Sequence, residues 1–216
     1  MFVGHYGVSF AAKKSDASVP LWVLFVAVQL LDFAWAPLVL LGVEKVRIAP
    51  GFTRTNALDL YYMPYTHNLV AALLWSAAAF AIYRLAARGG NTAALVVAAA
   101  VFSHWVLDFV VHVPDLPLYD DTAKVGLGLW NWPATALGLE AVVLFAGMWL
   151  YFRTGAARRL AMTVFGIVML AIQVYVFFGP PPASDKSVAG TALAAYVVFA
   201  VVIRLLEGPR PNARAV

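Results

Sequence analysis

The chain has 216 residues, 63% of them hydrophobic and 12% charged, with a mean hydropathy of +0.82; soluble domains run nearer half apolar and a quarter charged, so this composition belongs in lipid. With no cysteine, disulfides, zinc–thiolate sites, iron–sulfur clusters and thiol nucleophiles are excluded, and any metal must take histidine, carboxylate or water. The net charge of +4 comes from basic residues in short loops beside apolar runs, where membrane topology accounts for them and nucleic acid does not.

The N-terminal stretch Met1 to Ala12 has no basic n-region before an apolar run and is too polar for a signal peptide, so it is expected to stay on the mature chain. It is also far too short to span, which leaves a surface helix or a half-membrane re-entrant segment. In the second case about eight residues at 1.5 Å each carry His5 some 12 Å in from the boundary. Six segments follow that can each cross a bilayer core as a helix, roughly 20–43, 67–87, 92–113, 132–152, 158–179 and 188–206. Arg88-Gly89-Gly90-Asn91, Gly179-Pro180-Pro181-Pro182 and Gly208-Pro209 supply stop signals. The expected fold is all-α: a single integral membrane domain over 1–216, a bundle of about six transmembrane helices with a short N-terminal re-entrant or interfacial helix.

Lys13, Lys14, Arg84, Arg88, Arg153, Arg158, Arg159, Arg204, Arg210 and Arg214 put ten basic residues on one side, against Lys45, Arg47, Arg54, Lys124 and Lys186 on the other. The richer side is expected to be cytoplasmic, with both termini inside and 207–216 as a cytoplasmic tail. The long loops 44–66 and 114–131 then face outward, and Tyr61, Tyr62, Tyr65, Trp130 and Trp132 in and beside them suit an interfacial aromatic belt. Arg47, Arg54 and Asp59 are expected to be solvated there, and Gln29 and Gln173 to bond between helices.

Each ionisable group at membrane depth costs roughly 2.5–3.5 kcal/mol, so each needs an account. Asp32 and His104 both lie about twelve residues into spans that run the same way, about 18 Å deep. In the third span His104, Asp108 and His112 are spaced i, i+4, i+8, a drift of only some 40° per step, which makes one polar stripe on an apolar helix. Two ligands at i and i+4 reach one ion; the third, a turn further on, fits either an outer partner or a second ion. His67 opens the second span at its outer boundary, Asp115 follows the third span, and Glu140 lies roughly 12 Å into the fourth. All four histidines of the chain thus fall in one set, and none sits in a cytoplasmic loop or tail. No base is visible beside Ser9, Ser76 or Ser103 that would activate a serine.

In order along the chain stand His5, Leu31-Asp32, Thr66-His67-Asn68, Ser103-His104-Trp105-Val106-Leu107-Asp108 and Trp130-Asn131-Trp132-Pro133. Over residues 1–135 this order resembles the bacterial YdjM-type family of inner-membrane-bound, metal-dependent hydrolases. That family has an early histidine, a Pro-Asp-x-Asp element, Thr-His-Ser, Ser-His-x-x-x-Asp and a stretch ending in Trp-Pro. The resemblance implies metal-binding roles for His5, Asp32, His67, His104 and Asp108, with 136–206 as additional spans. The chain departs from the pattern in having Phe33-Ala34 after Asp32, and Tyr61-Tyr62-Met63-Pro64-Tyr65 where the family has His-Arg before Thr-His. His112 and Asp115 are candidates to replace the missing groups.

The expected function is a membrane-embedded hydrolase of the bacterial inner membrane, acting with a divalent metal, zinc by donor type, on an ester or phosphoester that is lipid or lipid-linked. His5, Asp32, His67, His104, Asp108 and His112 are the candidate metal ligands, and Asp115 or Glu140 the candidate general base. Expected partners are membrane lipids. The competing classes are a proton or cation transporter, which would need carboxylates accessible from both faces, a bis-histidine haem protein, which would need two histidines facing one another at one depth, and a purely structural or partner-binding membrane protein.

Overall fold

Where no water is at hand, an apolar backbone must close its own hydrogen bonds, and it does so as helices. The computed structural model describes residues 1–86, 90–156 and 158–207. Its helices are α1 (Gly4–Ser15), α2 (Leu21–Val28), α3 (Leu30–Leu40), α4 (Leu69–Ala86), α5 (Asn91–Val111), α6 (Pro133–Phe152), α7 (Arg159–Phe178) and α8 (Asp185–Glu207). The last five are long and apolar enough to cross a membrane, and the pair α2–α3 makes a sixth such element. The chain is an all-α polytopic bundle. Parts of two expected stop signals, Arg88-Gly89 and Gly208-Pro209, and the tail with Arg210 and Arg214 lie outside the described residues.

The first span is not continuous. It breaks at Gln29 and bends by 52°, although neither proline nor glycine stands there. Gln29 sits between helical and extended backbone (φ −111°, ψ 11°), and its side-chain amide donates to the Phe2 carbonyl at 3.3 Å. The break has two consequences for the site. Asp32 falls in the first turn of α3, where the helix N-terminus favours negative charge. Val28 becomes the last residue of α2, and the last carbonyls of a helix lack an intrahelical donor.

Helix α1 is not a surface helix. Val3, His5, Tyr6, Ser9 and Phe10 are all buried, and its closest packing is against α6. There Gly7 and Gly147 bring the two backbones into direct contact: a Cβ on Gly147 would lie 1.9 Å from the Gly7 carbonyl oxygen. Small residues at a crossing are what permits such an approach. At its C-terminal end Lys13 donates to the carbonyls of Ala17 and Val19 and pairs with Glu207 of α8 at 2.8 Å. A lysine expected to act only as a topological charge thus ties α1 to the end of the last helix.

The loop after α3 forms an antiparallel hairpin, β1 (Lys45–Ile48) and β2 (Leu58–Tyr62), with Arg47 opposite Asp59. These two make an ion pair, with Arg47 Nε 2.8 Å from Asp59 Oδ2, so Asp59 is buried rather than solvated as expected. Val46, Leu60 and Met63 pack with Trp35, Val39, Val111 and Leu116 to close this end of the bundle. The 114–131 loop folds beside it, and its Pro117 carbonyl accepts from Leu69 N at 3.1 Å, anchoring the start of α4.

Candidate metal centre

Asp108, on the buried face of α5, is the hub. Its Oδ1 contacts the Met1 amino group and lies 3.2 Å from His5 Nε2. Its Oδ2 lies 3.0 Å from His104 Nε2, 3.8 Å from His67 Nε2 and 3.9 Å from His112 Nε2. Asp32 approaches from α3, with Oδ1 3.2 Å from His67 Nε2 and 3.7 Å from His104 Nε2. His5, His104 and Asp108 offer three ligand atoms within 4.8 Å of one another, as do Asp32, His67 and His104. Buried His/Asp groups of this geometry can hold a metal ion.

The far side of each imidazole decides what its Nε2 carries. His104 Nδ1 is 2.7 Å from the Val28 carbonyl, an oxygen that can only accept, so Nδ1 holds the proton and donates. His67 Nδ1 is 2.7 Å from Thr66 Oγ1, which gives its own single proton to Glu44 Oε2 at 2.6 Å; the hydroxyl must therefore accept from His67. His112 Nδ1 is 2.8 Å from Asp115 Oδ1, again an acceptor. For three neutral imidazoles the lone pair is thus left on Nε2, and all three face Asp32 or Asp108. His104 Nε2 is completely buried and, although 3.0 Å from Asp108 Oδ2, makes no hydrogen bond. Two carboxylates, one of them already paired with the Met1 amino group, and the Nε2 atoms of three histidines converge on one buried volume, an arrangement that can hold a cation.

The elements that bring these residues together differ from those expected. Asp32 and His104, expected at one depth, do meet, with Oδ1 3.7 Å from Nε2. His67 does not lie shallower: α4 begins at Leu69, and the turn before it, held by Glu44 through Thr66, folds His67 inward until its ring centroid is 5.3 Å from that of His104. His112 is not the third step of a helical stripe, because α5 ends at Val111 and His112 has extended backbone (φ −63°, ψ 147°). Val113 precedes Pro114, which disfavours helix there, and Trp130 packs on the His112 ring at 4.1 Å. His5 arrives on α1 and stacks on His104, with centroids 4.0 Å apart and planes 3° from parallel; that spacing leaves no room for a porphyrin between them.

Asp115 and Glu140 stand apart from the Nε2 atoms. Asp115 lies behind the His112 ring. Glu140 accepts from Gly4 N at 2.6 Å and Phe2 N at 3.1 Å, so its carboxylate caps the N-terminus of α1. Sequence reasoning missed Glu44 and Tyr196. Glu44 is buried and also accepts from the Tyr65 and Thr66 amides. Tyr196 donates to Asp32 Oδ2 at 2.8 Å, and its only signal was being the single tyrosine of an apolar span.

A cavity of about 680 Å³ opens onto Asp32, His67, Asp108 and Glu140. Removing the outer partner of a metal-ligating histidine weakens metal binding about 10–100-fold. Thr66→Val takes away the acceptor for His67 Nδ1 with little change of shape, so a loss in that range is expected in a competition titration with a chromogenic chelator. An unchanged Kd would show that Thr66 does not hold the ring.

No family model, no curated protein and no solved structure matches the chain.

Proposed function

We propose that this protein is a membrane-embedded, metal-dependent hydrolase of the YdjM type, acting on an ester or phosphoester from the hairpin end of the bundle. The observation that carries this is the set of three histidines whose Nδ1 atoms meet acceptors outside the cluster while their Nε2 atoms face Asp32 or Asp108 inside. The resemblance supports it, since the five residues to which it assigns metal binding, His5, Asp32, His67, His104 and Asp108, gather in one cluster. Asp32, His67 and His104 would hold one ion, and Asp108 with His5 and His104 offers a second set of ligand atoms beside it. An all-nitrogen-and-oxygen donor set of this kind suits zinc. The chemistry such an ion would supply is Lewis-acid polarisation of the ester oxygen and a lowered pKa for bound water.

The chain's own groups do the rest. Tyr196 donates to Asp32 Oδ2 and so holds the carboxylate with Oδ1 toward His67 and His104. Asp115 acts through His112, raising its donor strength, and Glu140 acts through α1, holding His5 at its station. The charge asymmetry of the loops supports an outer position for the hairpin end, and the resemblance a bacterial inner membrane; the expectation that both termini lie inside does not hold for Met1, whose amino group is buried at Asp108.

Elemental analysis tests this directly. Detergent-purified chain is expected to carry at least stoichiometric zinc, and chelation is expected to abolish hydrolysis of chromogenic ester or phosphodiester probes until zinc is returned. A chain that stays metal-free after purification in zinc-replete buffer would overturn the reading.

A further inference from the structure

The cavity continues past the cluster, between α7 and α8. Tyr175 and Val176 of α7 are 64% and 46% exposed and Thr191 of α8 is exposed, yet all three line the cavity. It therefore opens sideways, through the faces of two helices long and apolar enough to cross a membrane. Val174 and Phe178 of α7 and Val197 and Val198 of α8 are exposed apolar groups. A soluble substrate has no use for such an entrance; a hydrocarbon chain does.

Inside, two polar side chains more than nine-tenths buried line the wall without partners among the described residues: the indole Nε1 of Trp35, and Oε1 of Gln173. Gln173 was expected to bond to a neighbouring helix and does not use that oxygen. Buried polar atoms left free on a cavity wall point to polar groups of a ligand. At the mouth lies Arg54, in the turn between β1 and β2. Arg47 and Lys124 are paired with Asp59 and Asp121, whereas Arg54 has no hydrogen bond or ion pair among the described residues and lines the cavity.

Resting on the hydrolytic reading of the cluster, the geometry points to a lipid phosphoester as substrate. Its phosphoester lies at the Asp32–Asp108 cluster, its headgroup extends under Arg54, and its apolar chain leaves between α7 and α8. Trp35 donates its indole N–H to an oxygen between phosphate and chain, and Gln173 Oε1 accepts from a hydroxyl of the lipid. A phosphoester is favoured over a carboxylic ester because guanidinium pairs well with phosphate oxygens, and because a cluster with more ligand groups than one ion needs is the arrangement that clamps a phosphoryl group. Hydrolysis consumes one water: a P–O bond to the alcohol breaks, a P–O bond to the water oxygen forms, the alcohol leaves with a proton, and no electrons are transferred.

The test uses the full chain in vesicles of phosphatidylethanolamine doped with phosphatidylglycerol that carries a photoactivatable group in one acyl chain. Cross-links are expected to concentrate on the cavity-facing residues of α7 and α8, and to fall about tenfold in Ala192→Trp, which narrows the opening, while metal content stays unchanged. In Arg54→Gln, an exposed position that does not endanger folding, KM for phosphatidylglycerol is expected to rise about tenfold with kcat little changed. Cross-links spread evenly over all lipid-facing helices, or unaltered by Ala192→Trp, would overturn the proposal. So would millimolar inorganic phosphate displacing the probe as well as unlabelled lipid does, because the site would then belong to a soluble phosphate. Cross-linking needs no turnover, and metal content is measured separately, so failure of the lipid proposal is distinguishable from failure of the metal centre.

Discussion

His104→Ala is expected to strip the chain of its metal and to abolish hydrolysis. His104 is the one residue common to both ligand groups, so its loss leaves each with two donors, fewer than the three protein ligands of a catalytic zinc site. The fall in affinity should exceed the 10–100-fold typical of losing an outer partner. Because the ring is fully buried, His104→Gln is the companion variant: it keeps a donor for the Val28 carbonyl and most of the volume, but not the imidazole lone pair. Both should lose metal, measured per chain after gel filtration. Ser103→Ala, one residue away, removes only a bond to the Ala100 carbonyl and should keep its metal. Stoichiometric metal in His104→Ala would place the site elsewhere.

The second large effect lies away from the cluster. Gly147→Val should lower the thermal unfolding midpoint and release His5 from the centre. Its Cβ would meet the Gly7 backbone at 1.9 Å, and a backbone cannot swing aside as a side chain can, so α1 must move off α6. Overpacking usually costs about 1–3 kcal/mol, and a main-chain clash belongs at or above the top of that range. Glu140 and Gly147 are two turns apart on one face of α6, so displacing α1 also pulls the Phe2 and Gly4 amides off Glu140. Metal content is expected to fall together with stability. Gly138→Ala is the control, since a Cβ there meets nothing within 4 Å and alanine is the better helix former. Equal unfolding midpoints for Gly147→Val and the parent chain would contradict the α1–α6 contact.

These two expectations differ in how far they could be read without a fold. The importance of His104 was legible, because the quantities it depends on are local. A helix rises 1.5 Å and turns about 100° per residue, so the i, i+4 pair His104 and Asp108 and the depth shared with Asp32 follow from counting. The apolar runs likewise required helices, since lipid offers the backbone no other partner.

Other parts of the site depend on rigid placement of one element against another, which counting does not supply. The first span breaks at Gln29, whose side chain meets the Phe2 carbonyl across the bundle. His67 reaches the cluster through a turn held by Glu44 and Thr66, and His112 through the end of α5 and its contact with Trp130. Tyr196 meets Asp32 from a helix 164 residues further along the chain. Glu140 was legible in depth but not in azimuth, and the azimuth is what turns its carboxylate to the amides of α1 rather than to the histidines. Composition and periodicity by themselves determined an all-helical membrane bundle and the His104–Asp108–Asp32 nucleus, because both follow from backbone hydrogen bonding and helix geometry along a single segment. Tertiary structure alone decided which further groups join that nucleus and where the cavity opens, because those depend on how helices rotate and pack against one another over long sequence separations.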